Sequence, residues 1–487
     1  MKYSWWIDPF SSAVDLAEAV RARRISAAEL VGVFLSRIKK HNPALNAVCT
    51  VDGAGAMARA QEADRALARG ELWGPLHGVP MTIKDALETA GVRTTGGHPP
   101  LRDYVPQRDA PAVARLRAAG AILLGKSNVP PLSADYRADN PIFGRTNNPW
   151  DLERTPGGST GGGAAAVAAG LSAFDVGSDL AGSVRTPAHF CGLFGLKPSE
   201  RRVPNTGHIP EVPGLPRAVR HLNVLGPLAR SVDDLCLILK TICGPDGAEW
   251  DVPPVPWIEP QDRALKDLRF AWSTDFSGVP VTAETRTSIE RLAGELARLG
   301  CKVEQRNPAG FDFDAAWENW GEIAIAERAA TGGERAAERV AALNATLGEA
   351  WAVARGSARG VRASIADYAV FLTRRDCLIT AFEKFFDDWD AFLCPVTVSP
   401  AIPHVPFGTP IDVDGKPVPY FIAGTAYTCP FNLTGSPVVV LPLARSKAGL
   451  PIGVQVVGKR WSEPALLKLS KSLASITGPF TPPPAFA

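Results

Sequence analysis

Three side chains, Lys84, Ser159 and Ser183, lie in short segments whose composition suits acid–base and nucleophilic chemistry. Lys84 follows the apolar run 79–83, which predicts a short buried strand that carries the lysine into an apolar interior. Burial disfavours the ammonium form and lowers a lysine pKa, so such an amine can act as a base near neutral pH. A lone lysine at a strand end usually reaches solvent instead, so this interpretation depends on the other two segments.

Ser159 lies in the segment RTPGGSTGGGAAAVAAG, where glycines surround it and Thr160. Glycines permit tight backbone turns, and the alanine-rich run 164–169 has strong helix propensity. The pattern predicts a tight loop that enters a buried helix. A Gly/Ser-rich run alone is more often a flexible connection, but such linkers are not usually followed by an apolar helix.

Ser183 lies in the segment VGSDLAGSVRTPAHFCGLFGLKPS. If Ser183 opens a helical turn, its backbone N–H and those just before it converge on one point, where a developing oxyanion could bind. An isolated serine before a helix is more often an ordinary N-cap.

In order and spacing, these three segments resemble the amidase signature family of serine hydrolases. The resemblance extends through GRTNNPW, GLFGLKPS, PFNLTGSPVVVLP and GLPIGVQVVG, so it covers most of the chain and is weakest over 305–425. It implies a Ser-cisSer-Lys triad, with Ser183 as nucleophile, Ser159 as the bridging serine after a cis peptide bond and Lys84 as the base. No metal or cofactor is implied.

The resemblance also implies the groups around the triad. Backbone N–H groups near Ser183 are expected to hold the oxyanion, and neighbouring side chains to brace the loop. The oxyanion residues are Leu180, Ala181 and Gly182, and the supporting residues are Thr160, Asp179 and Arg185. Leu132, Ser133, Ala134 and Tyr136 are expected to approach the acyl side of the substrate, where apolar Leu132 and small Ala134 suit a neutral group.

The sequence departs from the family pattern at three positions. Ala181 replaces a usual glycine, Thr160 a common serine, and Gly163 a larger or hydroxyl residue. Because alanine tolerates positive φ poorly, the oxyanion loop must avoid that conformation or carry strain.

Two local motifs offer rival interpretations. Residues 157–161 match the G-x-S-x-G elbow of α/β hydrolases, with Ser159 as nucleophile and Asp390 and His404 in suitable order, but the residues before them are turn-like rather than a strand. Ser36 and Lys39 match the S-x-x-K motif, yet they lie at the polar edge of a predicted amphipathic helix over 26–40.

The fold expected from the resemblance is a single α/β/α domain over 1–487 with a central mixed sheet. Its catalytic core covers about 70–245 and its variable, mainly helical region about 305–425. Helical patterns fill 11–69, and α/β alternation resumes with strands at 269–272 and 302–305 around a helix at 284–299. Glycines in 356–360 could hinge a mobile loop.

Composition limits the partners. A net charge of +2 without a basic cluster argues against nucleic acid or anionic membranes, and no window is apolar enough for a membrane span. The eight scattered cysteines and the interrupted apolar N-terminal stretch predict a cytoplasmic protein with mostly buried thiols. We expect a monomer or homodimer acting on a small molecule.

The expected reaction is hydrolysis of a carbonyl C–N bond in an amide, aryl amide or carbamate (urethane), with esters as further substrates. Two alternatives of other kinds are the amidase subunit of a glutamine-dependent tRNA amidotransferase and a catalytically silent binding protein. The segment ERRVPNTGHIPEVPG after GLKPS differs from that of the amidotransferase subunits.

Overall fold

Eleven strands form one mixed sheet in this computed structural model, which describes residues 8–209, 217, 219–332, 334–348 and 350–487. Its order is β1-β3-β2-β6-β8-β7-β14-β15-β11-β9-β10, and two short hairpins, β4-β5 and β12-β13, lie apart from it. The strands are β1 Val48–Val51, β2 Pro80–Lys84, β3 Ile122–Ser127, β4 Asp139–Asn140, β5 Gly144–Arg145, β6 Asp175–Asp179, β7 Phe194–Lys197, β8 Val224–Ala229, β9 Arg269–Trp272, β10 Lys302–Gln305, β11 Ala391–Pro395, β12 Ile411–Val413, β13 Lys416–Val418, β14 Val438–Arg445 and β15 Pro451–Val457.

Helices pack around this sheet. They are α1 Ala13–Arg21, α2 Ala27–Leu45, α3 Gly53–Ala68, α4 Pro111–Ala118, α5 Gly161–Ala168, α6 Arg185–Cys191, α7 Val232–Ile242, α8 Ala283–Arg298, α9 Phe313–Gly332, α10 Glu334–Leu347, α11 Ala352–Gly360, α12 Ile365–Phe385, α13 Tyr420–Thr425, α14 Cys429–Leu433 and α15 Glu463–Thr477. The expected α/β architecture with a central mixed sheet is confirmed.

The two halves of the chain meet inside the sheet. β2 runs parallel to β3 and β6, and β9 runs parallel to β10 and β11. The antiparallel hairpin β14-β15 lies between these groups, with β14 on β7 and β15 on β11. The C-terminal hairpin therefore joins the N-terminal strands, through β7, to the parallel group of β11, β9 and β10.

Local signals explain several elements. Ser26 and Glu29 form a capping box at the start of α2, so the predicted amphipathic helix begins at the expected place. The alternation predicted over 269–305 is confirmed by β9, α8 and β10. The purely helical prediction for 11–69 was wrong at β1, because four residues at a sheet edge carry too little pattern to separate them from the flanking helices.

The predicted hinge over 356–360 is also corrected by the structure. These residues belong to α11, which packs tightly on α9. A Cβ atom added at Gly356 would lie 1.9 Å from the Glu318 carbonyl oxygen, and one at Gly360 would lie 2.5 Å from the Glu322 carbonyl oxygen. Glycine here serves close helix packing, not backbone mobility.

An aromatic cluster fills the space between the sheet and the variable region. Phe276 stacks on Phe313 with centroids 3.8 Å apart, and Phe382 packs against Phe431 at 5.8 Å.

Within the described ranges, no helix combines the length and apolar character that crossing a membrane requires.

Candidate active site

Lys84 is the last residue of β2, a strand buried along its whole length. Its side chain is fully buried, and in the ammonium form its Nζ donates hydrogen bonds to Ser159 Oγ at 2.6 Å and to Ser178 Oγ at 2.9 Å. The strand therefore delivers the amine to two hydroxyl groups inside the protein, as the apolar run before it predicts.

Burial lowers the pKa of Lys84 to about 7, although the carboxyl groups of Asp175 and Asp179 act in the opposite direction. Burial also raises the pKa of Asp175 to about 7, which weakens that opposition because a protonated carboxyl carries no charge. An appreciable fraction of Lys84 is therefore neutral near pH 7 and able to accept a proton.

The Ser159 loop is held closely on both sides. The Gly158–Ser159 peptide bond is cis, and Gly157 has a φ of +84°. A Cβ atom at Gly158 would lie 2.6 Å from the Arg137 backbone nitrogen, so glycine is required there. Thr160 follows as the N-cap residue of α5, which agrees with the predicted loop entering a helix.

A backbone hydrogen bond joins the loops of the two serines. The Thr160 N–H donates to the Ser183 carbonyl oxygen at 3.1 Å. Ser159 is fully buried, whereas Ser183 is partly exposed. Of these two serines, Ser183 is therefore the more accessible from outside the protein.

The conformation of the Ser183 loop resolves the question raised by Ala181. The positive φ falls on Gly182, at +112°, and Ala181 has none. A Cβ atom at Gly182 would lie 2.7 Å from Thr428 Oγ1, which also favours glycine. Alanine at 181 is therefore compatible with this loop.

Hydrogen bonds orient the peptide groups of the loop. Trp320 Nε1 donates to the Leu180 carbonyl oxygen at 3.1 Å, and Thr428 Oγ1 donates to the Ala181 carbonyl oxygen at 2.6 Å. The Gly182 N–H donates to Asp179 Oδ1 at 2.8 Å. Within the described part of the chain, no group accepts a hydrogen bond from the amides of Ala181 and Ser183.

Asp179 and Arg185 form a fully buried ion pair at 2.9 Å. Burial by itself would raise the pKa of Asp179, but the Arg185 guanidinium lowers it well below its usual range. Arg185 also donates to the Thr428 carbonyl oxygen at 3.0 Å and to Gln455 Oε1 at 2.8 Å. The pair therefore ties the Ser183 loop to the C-terminal part of the chain.

Thr160 supports the site through the backbone rather than through the serines. Its Oγ1 donates to the Ser178 carbonyl oxygen at 3.4 Å. A Cβ atom at Gly177 would lie 2.3 Å from Thr160 Cγ2, so the threonine methyl group is accommodated by glycine on β6.

The expected substrate-binding residues fall into two groups. Leu132 and Ser133 lie in a 3₁₀ turn with φ values of +52° and +57°, and Ala134 follows it. Tyr136 stacks on Tyr420 with centroids 4.3 Å apart, and its backbone lies beside Gly158 in the Ser159 loop. The structure brings Tyr136 to the site, and the roles of residues 132–134 stay predictions.

Sequence reasoning missed two residues of the site, Ser178 and His208. Ser178 Oγ contacts both Lys84 Nζ and, at 2.7 Å, His208 Nε2. Burial lowers the pKa of His208 to about 3, so its ring is neutral. No local pattern marks His208, because it is 124 residues from Lys84 and reaches the site through a loop.

The rival interpretations find no support in the geometry. A loop, not a strand, precedes Ser159, and Asp390 pairs with Arg263 at 2.8 Å. The His404 N–H donates to the Glu153 carbonyl oxygen, and no hydrogen bond links His404 to Ser159 among the described residues. Ser36 and Lys39 lie on α2, as predicted for a polar helix edge.

Comparison with known proteins identifies the family. The model of the family described as Amidase matches residues 29–467. The chain belongs to the amidase signature family. As an amidase-family protein, it is a hydrolase of carbon–nitrogen bonds.

Several members of the amidase family match along nearly the whole chain. A glutamyl-tRNA(Gln) amidotransferase subunit of Roseiflexus sp. is 35% identical, over 95% of this chain and 96% of the relative. Indoleacetamide hydrolase of Bradyrhizobium diazoefficiens is 33% identical, over 96% and 86%. The crystal structure of an amidase superposes with a TM-score of 0.78 at 28% identity, over 96% of this chain and 100% of that one.

Proposed function

We propose that this chain hydrolyses small neutral amides through Ser183, Ser159 and Lys84. The observation that carries the proposal is the fully buried Lys84 amine, 2.6 Å from Ser159 Oγ, with a pKa lowered to about 7 by burial. A general base is most effective when its pKa lies near the working pH, and a pKa of about 7 meets that condition at neutral pH.

The proton path runs from Ser183 through Ser159 to Lys84. Ser183 Oγ attacks the substrate carbonyl carbon while its proton passes to Ser159, whose own proton passes to the neutral Lys84 amine. The resulting oxyanion accepts hydrogen bonds from the amides of Leu180, Ala181 and Ser183, which have no acceptor among the described residues. Gly182, expected in the same role, instead donates its amide N–H to Asp179 Oδ1 and so helps to hold the loop.

The second half of the reaction uses the same groups in reverse. Ser159 returns a proton to the leaving amine, the C–N bond breaks, and an acyl group remains on Ser183. Water, deprotonated through Ser159 and Lys84, then cleaves the acyl-enzyme ester. As the ester bond breaks, the proton held on Lys84 returns through Ser159 to Ser183 Oγ, so the steps balance with the chain, the substrate and one water molecule.

Apolar side chains around the Ser183 loop favour a neutral substrate. Leu180 and Ala181 pack against the aromatic cluster, and Trp320 packs on Phe421 with centroids 5.7 Å apart. The charges closest to the loop, on Asp179 and Arg185, neutralise each other in a buried pair, and Asp135 and Arg137 likewise pair with each other at 2.8 Å. We propose amides and aryl amides as main substrates and carbamates or esters as secondary ones.

A second candidate is the amidase subunit of a tRNA amidotransferase, because the Roseiflexus relative with that name is 35% identical over nearly the full length. Our proposal is instead a cytoplasmic monomer or homodimer that works without partner subunits. Hydrolysis of simple anilides by the purified chain supports our proposal. Activity that appears only with glutamine and partner subunits supports the alternative.

The assigned roles are tested by covalent labelling and substitution. A serine-hydrolase phosphonate should label Ser183, as located by mass spectrometry, and Lys84→Ala should lower kcat at least about 1,000-fold because the base is lost. The control Lys39→Ala, on the exposed edge of α2, should keep full activity. Labelling on Ser159, or an active Lys84→Ala variant, contradicts the proposal.

A further inference from the structure

A chain of hydrogen bonds continues from Lys84 away from the serines. Lys84 Nζ donates to Ser178 Oγ at 2.9 Å, and Ser178 Oγ lies 2.7 Å from His208 Nε2. All three side chains are buried, with exposed fractions of 0%, 2% and 4%. The three groups therefore hydrogen-bond to one another inside the protein.

The lone pair of the Lys84 amine determines the direction of the Lys84–Ser178 and Ser178–His208 hydrogen bonds. A neutral amine has one lone pair, and to accept the proton of Ser159 that lone pair must face Ser159 Oγ. The contact with Ser178 is then made by an amine N–H, for which Ser178 Oγ is the acceptor. The Ser178 hydroxyl proton must go to its other contact, His208 Nε2.

His208 is suited to accept that proton. Its pKa is lowered to about 3, first by burial and then by the nearby charges of Lys84 and Arg217, so the ring is neutral across the working pH range. A neutral imidazole that accepts at Nε2 carries its proton on Nδ1. The geometry therefore selects one tautomer.

We propose that His208 is a positioning residue of the relay, which accepts the Ser178 hydroxyl proton and thereby keeps the Lys84 lone pair free for Ser159. This inference rests on the proposed function, since it assumes that Lys84 is the base. His208 acts through Ser178 and does not touch the substrate.

The effect of replacing His208 follows from the same donors and lone pairs. Without the imidazole, the side-chain contact left to the Ser178 hydroxyl within the described residues is the Lys84 nitrogen. That bond would occupy the lone pair and stabilise the neutral amine, so the rate should fall while the pKa of Lys84 falls as well. The carboxyl groups that act on Lys84, Asp175 and Asp179, remain in place.

The test compares His208→Leu with His208→Gln, whose amide oxygen can accept from Ser178. For p-nitroanilide hydrolysis, we expect His208→Leu to lower kcat about tenfold or more with KM unchanged, and to move the acidic limb of kcat/KM to lower pH. His208→Gln should recover most of the wild-type kcat and pH profile. Circular dichroism and thermal melting check that both variants fold.

A double-variant cycle separates positioning from general structural damage. Because His208 acts through Ser178, Ser178→Ala combined with His208→Leu should be no slower than Ser178→Ala alone. Additive losses, an unchanged pH profile in His208→Leu, or equal rates for Leu and Gln would overturn the inference. If His208→Leu fails to fold, the pH profiles of Ser178→Ala and His208→Gln decide. A wild-type chain inactive on amides would instead defeat the proposed function.

Discussion

At the scale of single residues, the chemistry of the site depends on where one amine is buried. Lys84 is partly neutral near pH 7 because the interior disfavours its ammonium form, not because a positive neighbour repels it. Lys126 and Lys197 are equally buried, and burial lowers their pKa values to about 8 and about 7. What distinguishes Lys84 is its contact with Ser159, whose loop bonds to that of Ser183, the nucleophile we propose.

The pKa of Lys84 predicts the pH dependence of the reaction. Since the base works only when neutral, kcat/KM should rise with pH through an apparent pKa near 7 and level off about one unit above it. Activity is lost as pH falls, because Lys84 then carries a proton. Initial rates on a p-nitroanilide between about pH 5 and 9 measure this limb. If the apparent pKa of this limb lay near that of an ordinary carboxyl group, the base would be a carboxylate. If it lay near that of a free lysine, the base would be a solvent-exposed amine.

The buried Asp179–Arg185 pair predicts a large effect on stability. Asp179→Asn keeps the side-chain volume but leaves the Arg185 charge buried without its partner, so unfolding free energy should fall by about 3–5 kcal/mol. Urea denaturation followed by circular dichroism measures the change. Activity should fall too, because Asp179 also holds the Gly182 amide.

A matched control is an exposed pair. Asp262 pairs with Lys468 while its side chain remains 98% exposed. Asp262→Asn should leave the urea midpoint unchanged, because solvent screens this pair. Equal midpoints for the two Asn variants would refute the importance of the buried pair.

At the scale of elements, replacing glycine by alanine should have opposite effects on stability in two helices. Gly356 in α11 lies against the backbone of α9, where an added Cβ would be 1.9 Å from the Glu318 carbonyl oxygen, whereas around Gly294 in α8 there is open space. Gly356→Ala should therefore lower the unfolding free energy by about 1–3 kcal/mol through overpacking. Gly294→Ala should raise it by about 0.5–1 kcal/mol through helix propensity.

Both variants make the same chemical change, so the difference between their urea midpoints isolates the contact between the helices. Charged pairs also join α9 and α11, including Arg355–Glu318 at 3.2 Å. If Gly356→Ala proved neutral or stabilising, the close packing of α11 on α9 would be wrong and the hinge interpretation would return.

At the scale of the whole molecule, the C-terminal hairpin holds the sheet together. β14 and β15 lie between β7 and β11, and Arg185 bonds to Gln455 across the same junction. We propose that residues 1–487 fold as one domain, because the hairpin of the C-terminal half pairs with β7 of the N-terminal half and neither half completes the sheet alone.

Cleavage between the halves tests that proposal. A protease site inserted between Gln261 and Asp262, both exposed, should be cut readily in the native protein. The fragments should stay together in gel filtration and keep most of their activity, because β7-β14 pairing and the hydrogen bond from Arg185 to Gln455 bridge them. Separation without denaturant would show two independent domains.

The sequence by itself predicted the mixed α/β fold and the family, which are confirmed, because segments with strong local composition carry the resemblance. It also predicted the three relay residues, whose roles stay predictions. The buried strand at Lys84, the glycine loop at Ser159 and the turn at Ser183 each follow from neighbours along the chain. The substrate residues 132–134 and the oxyanion assignments remain predictions from resemblance.

Only the tertiary structure decided the rest, since contacts between distant segments leave no local pattern. It placed the positive φ on Gly182 rather than Ala181, packed glycines 356 and 360 into a helix contact, and brought His208 against Ser178. Local sequence patterns predict the backbone conformation of a segment. These features depend instead on which distant atoms the folded chain brings within a few ångströms of each other.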